Sequence, residues 1–61
     1  MDLKLDSIRA GTIFKYNSIT YKKGFTYEAN KVLCTPKYGG QWQDAVETWI
    51  EVSAIVYVKP D

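Results

Sequence analysis

The sequence predicts a small all-β domain on three observations. There is a strand-turn-strand pattern between Gly11 and Gly24, there are two further runs rich in β-branched residues, and a loop of proline and glycine follows the first of those runs. In GTIFKYNSITYKKG, a two-residue turn at Asn17-Ser18 sets Tyr16 opposite Ile19, Lys15 opposite Thr20 and Phe14 opposite Tyr21. Side chains alternate along a strand, so Phe14, Tyr16, Ile19 and Tyr21 share one face. Lys15, Thr20 and Lys22 take the other, joined by Ile13. A slip of one residue would turn the ring-bearing face to water, so burial of that face fixes the register.

The remaining elements follow in order. Leu3, Leu5 and Ile8 fit a short edge strand or an extended lead into one helical turn starting near Asp6 or Ser7, both good caps, with Gly11 ending it. Lys22-Lys23-Gly24 ends or bends the second hairpin strand, because glycine inside a strand pattern marks a bulge or corner. Phe25 to Glu28 continues the strand, and Ala29-Asn30 makes a turn. Lys31 to Thr35 is a strand with Val32 and Cys34 on one face. Pro36 is expected to stop its ladder, leaving Pro36-Lys37-Tyr38-Gly39-Gly40 as a compact loop.

Residues 41–52 support two readings. At helical period, Trp42, Ala45, Val46, Trp49 and Ile50 form one stripe, which makes an amphipathic helix and an α+β fold the alternative. The β-branched residues from Val46 to Val52, and a loop suited to returning an antiparallel strand, favour strand. Glu51 to Ala54 then turns, and Ile55 to Lys59 is the last strand before Pro60.

Sixty-one residues allow one domain, spanning 1–61, near the lower size limit for a core without disulfide or metal. Nine aromatics and a 46% hydrophobic share argue against disorder. With one cysteine and no histidine there is no internal disulfide and no ordinary zinc site, so neither metal nor cofactor is expected. No apolar run is long enough for a membrane helix and no signal peptide is seen, so a cytoplasmic protein is expected. Net charge is +1, but it is unevenly spread. Residues 1–38 hold seven basic and three acidic residues, +4, and residues 39–61 hold one basic and four acidic, −3.

Catalysis is not expected. The commonest general base is absent, Cys34 sits in an apolar strand as a packing residue would, and Gly39-Gly40 lacks the lysine and helix of a phosphate loop. Binding is the larger class. Tyr38, Gly39, Gly40 and Trp42 combine aromatics with a loop tip, the residue types that anchor protein interfaces. The interleaving of Lys15, Lys22, Lys23, Lys31 and Lys37 with rings is the alternative, a nucleic-acid surface. A homo-oligomer is a third expectation, from the small core and exposed Ile13.

A short turn followed by Gly11-Thr12-Ile13-Phe14, Tyr21 in the return strand, Val32-Leu33-Cys34-Thr35, Trp49-Ile50 and Val56-Tyr57-Val58 together resemble small bacteriophage early or accessory proteins. The resemblance covers residues 8 to 58 and implies a five-stranded antiparallel barrel of the Src-homology-3 type. It also implies the biology of phage proteins that bind and disable a host factor. Its shared positions are turn glycines and core residues, so it carries no functional residue over.

Overall fold

The computed structural model describes residues 1–60; Asp61, counted above at the acidic end, lies outside them. Among the described residues there are seven strands and no α-helix: β1 (Asp2–Lys4), β2 (Ile13–Tyr16), β3 (Ile19–Glu28), β4 (Lys31–Tyr38), β5 (Gln41–Trp42), β6 (Thr48–Glu51) and β7 (Ile55–Tyr57). All pairings are antiparallel, in the order β1-β7-β2-β3-β4-β5, with β6 also on β4. The fold is therefore all-β, but seven strands replace the expected five and the sheet does not close into a barrel. The extra strands arise at the start of the chain and within residues 41–52. The first residues form an edge strand on β7, and the 41–52 stretch is split into β5 and β6 by a 3-10 turn over Asp44–Val46.

The first hairpin has the expected register, with Phe14 on Tyr21, Lys15 on Thr20 and Tyr16 on Ile19. Asn17 and Ser18 both have positive φ, 51° and 66°, the primed geometry that matches the twist of the two strands. The rings of Phe14 and Tyr21 stack at 5.6 Å between centroids. Around them Leu5, Val32, Cys34, Ile50 and Val56 complete the core. Ile13 stays exposed on the opposite face.

Gly24 bends β3 rather than ending it. The β3–β4 register shifts between Lys23 and Tyr27, and a Cβ on Gly24 would collide with the Leu33 carbonyl oxygen. Glycine is what lets the two backbones approach this closely. The 3-10 turn over Leu5–Ser7 follows β1 directly, and the Leu5 and Asp6 amides donate to Ala54 and Val52 carbonyls at 2.9 Å each.

Pro36 does not stop the ladder. β4 runs through it to Tyr38, and the turn contracts to Gly39-Gly40, with Tyr38 opposite Gln41. The reason lies on the far edge of β4, which pairs with β6 at Lys31 to Cys34 and with β5 at Lys37 and Tyr38. Pro36 occupies the gap between the two partners. Its carbonyl accepts from the Gln43 amide at 2.8 Å, and a strand residue's N and O point to the same side. The missing N–H thus faces a place where no ladder bond is needed. Residues 41–52 are accordingly strand, turn and strand, and the helix alternative does not hold.

Candidate functional site

Directly opposed residues in an antiparallel sheet project from the same face, so a row of side chains can be followed from strand to strand. On the face away from the core, Asp2 opposes Tyr57, Tyr57 opposes Lys15, and Lys15 opposes Thr20. Thr20 in turn opposes Lys37, which opposes Trp42. One row therefore crosses six strands, with a ring near either end and two lysines between them. Beside it Ile13, Lys22 and Thr35 form a second, shorter row. At the β2–β7 junction Ile13, Lys15, Thr20, Tyr57 and Lys59 surround a shallow depression of about 230 Å³.

The charge on this face is positive. Lys22 and Lys37 place their ammonium groups 4.9 and 5.2 Å from the centre of the Trp42 ring, close enough for cation–π attraction. Lys15 is exposed, and Lys59 reaches the depression from the end of β7. Glu47 is occupied at the margin, where its Oε2 accepts from the Thr35 hydroxyl at 3.2 Å. Asp2 is the acid in the row itself, beyond Tyr57.

The structure sorts the residues that the sequence singles out. Lys15, Lys22 and Lys37 come together on this face with Trp42. Lys31 lies six residues from Lys37 along β4, about 20 Å at strand rise, and opposes Glu51. Lys23 is not a surface lysine at all: it is 3% exposed, and its Nζ donates to the carbonyls of Leu5 at 2.9 Å and Ile8 at 2.6 Å. Its strand neighbours explain this. Gly24 introduces the bend just after Lys23, and alternation puts Lys23 on the same inward face as Tyr21.

Tyr38, Gly39, Gly40 and Trp42 share one hairpin but not one surface. The register sets Trp42 against Lys37 and Tyr38 against Gln41, so the two rings point to opposite faces. Tyr38, 50% exposed, extends from the end of the inward row that holds Pro36 and Tyr21. Sequence reasoning misses Tyr57 and Lys59, because IVYVK reads there only as a closing strand. Its alternation is the available signal: Val56 is buried, whereas Ile55 and Tyr57 are exposed.

Two inward groups have shifted acidities. Burial pushes the Cys34 thiol up from its ordinary 9.0, partly offset by a backbone hydrogen bond from Gly24 and by the charge of Lys23. Burial also raises the Tyr21 phenol from 10.0, helped by Tyr38, Cys34 and Tyr16 nearby. A buried thiol held neutral is a poor nucleophile. Among the described residues no cluster of three acidic, cysteine or histidine side chains could hold a metal ion, and no helix is long and apolar enough to cross a membrane. No family model, curated protein or solved structure matches the chain.

Proposed function

We propose that the chain is a non-catalytic binding module for single-stranded nucleic acid, with the outer sheet face as its surface. The observation that carries this is the row from Tyr57 through Lys15, Thr20 and Lys37 to Trp42, flanked by Lys22 and Lys59. Lysines neutralise phosphates and release counterions, while rings give unpaired bases a stacking platform whatever their sequence. The ammonium groups now over Trp42 are held by a cation–π attraction of about 0.5–1 kcal/mol at an exposed site. They can exchange the ring for a phosphate at little cost, leaving the ring to a base.

The test is a salt titration of binding to single-stranded and duplex oligonucleotides. Single strands should bind more tightly, because a duplex keeps its bases from the rings. For the triple variant Lys15→Gln, Lys22→Gln, Lys37→Gln, the log–log salt slope should become shallower by about 0.7 for each phosphate that is no longer neutralised. An unchanged slope rejects these lysines as the phosphate-binding set.

A second reading rests on Tyr38, a half-exposed ring beside the Gly39-Gly40 turn on the other face. Under it the chain is a phage-encoded cytoplasmic module that binds and modulates a host protein, built as an opened form of the Src-homology-3 barrel. The β2-β3-β4 meander, with the last strand returning beside β2, supports that relation. Tyr38→Ala should then abolish capture of a partner by a tagged chain while leaving oligonucleotide binding intact. Equal capture by wild type and variant rejects the Tyr38 patch.

A further inference from the structure

The two rings at the ends of the outer row set the length and path of the ligand, an inference that rests on the nucleic-acid reading above. We infer that a single strand crosses the sheet perpendicular to the β-strands, stacking one base on Tyr57 and another on Trp42, with its phosphates over Lys15 and Lys37. The positions come from the register. Tyr57 on β7 and Trp42 on β5 are separated by β2, β3 and β4, and each intervening row position is Lys15, Thr20 or Lys37.

Four steps between neighbouring strands separate the rings by about 19 Å along the sheet. A strand that keeps helical stacking, at about 3.4 Å per step, covers this with about six or seven nucleotides. One whose bases unstack to reach the rings needs fewer, so the occluded site is about four to seven nucleotides, at the small end for a β-sheet single-strand binder. The depression beside Tyr57 gives the base on that side a recess walled by Ile13 and Lys59. Tyr57 is 46% exposed and Trp42 is partly buried, so both rings reach the surface while Trp42 is also anchored at its edge strand.

The probes are oligothymidylates from about two to about twelve nucleotides, the range that brackets the inferred site. Binding is followed by Trp42 emission in a Trp49→Phe background, which removes the other tryptophan. Affinity should climb steeply until the strand spans both rings and then level off, with Trp42 emission quenched at every length that binds. Tyr57→Ala should weaken the longer oligomers by about tenfold, the size of one base–ring stack, and leave the shortest ones unaffected. Tyr57→Phe, which keeps the ring, should bind like the parent and shows that the alanine variant fails for want of a ring.

Binding that rises evenly with length and ignores Tyr57→Ala overturns this path while leaving a lysine-driven nucleic-acid surface in place. Absence of binding to any oligomer at low salt overturns both the path and the reading beneath it. Equal affinity for inorganic polyphosphate of matched charge overturns the stacking and leaves an anion surface.

Discussion

Lys23 shows what one residue does when the fold takes it inward. It is a cation among apolar neighbours, and it is held there by two carbonyls at the start of the chain rather than by a carboxylate. Those carbonyls, of Leu5 and Ile8, lie on the segment that joins β1 to the first hairpin. Lys23→Met keeps much of the stem and removes the donors, so it should destabilise by about 1–3 kcal/mol, read from urea denaturation. The same change at exposed Lys15 should stay within about 0.5 kcal/mol. Similar losses at both positions would show that Lys23 is not a structural clamp.

Cys34 gives the molecule a pH signature. The fold favours the neutral thiol, so its folded pKa stands above the ordinary 9.0. Its contribution to stability is therefore complete below pH 9.0 and is lost as pH rises through the folded value. Tyr21 acts in the same direction from 10.0 upward. Denaturation midpoints should be flat with respect to these groups from neutral pH to 9.0 and should fall beyond it. In Cys34→Ala the first part of that fall should disappear while the tyrosine part persists. A wild-type midpoint that does not decline in alkali would contradict the burial assigned to both groups.

At the scale of elements, the turns carry the clearest expectations. Ser18 sits at φ 66°, which a residue with a Cβ holds at a cost of about 1–2 kcal/mol. Glycine there avoids the strain but loses about 0.5–1 kcal/mol more chain entropy, so Ser18→Gly should stabilise by roughly 0.5 kcal/mol. Gly24→Ala should do the reverse, by about 1–3 kcal/mol, because the added methyl must displace the Leu33 carbonyl. Thermal melts of the two variants, moving in opposite directions, would check both.

The first hairpin is legible in the sequence because its apolar period is regular and only one register buries all four residues. Pro36 misleads because proline's missing donor matters only if a partner faces it, and which strand faces it depends on pairings far along the chain. The ambiguity at 41–52 has a similar origin. Two short strands joined by a 3-10 turn blur a period of two until it looks like one of 3.6. On the outer face, Lys15, Lys22 and Lys37 can be named from sequence as one set and Trp42 as part of another. Their assembly into one row with Tyr57 cannot, because it needs the order in which seven strands pair.

For the molecule as a whole, the pairing order turns a nearly neutral composition into a face with several lysines. Of the seven basic residues in 1–38, Lys15, Lys22 and Lys37 reach one surface because β2, β3 and β4 are adjacent and their outward positions coincide. Of the described acidic residues after residue 38, Glu51 opposes Lys31 and Glu47 is engaged by the Thr35 hydroxyl at the margin of this face. Association with a polyanion should therefore be fast at low ionic strength and slow as salt screens it, beyond what the net charge of +1 suggests.

β7 meets β2 through a single residue pair, Lys15 with Tyr57. The β1–β7 pair is thus laddered to the rest of the sheet at one position, with Val56 packed in the core beside it, and the depression lies directly over that position. A guest lodged there would act as a suture: it would slow amide exchange in β1 and β7 more than in the β3–β4 ribbon, which is already well secured.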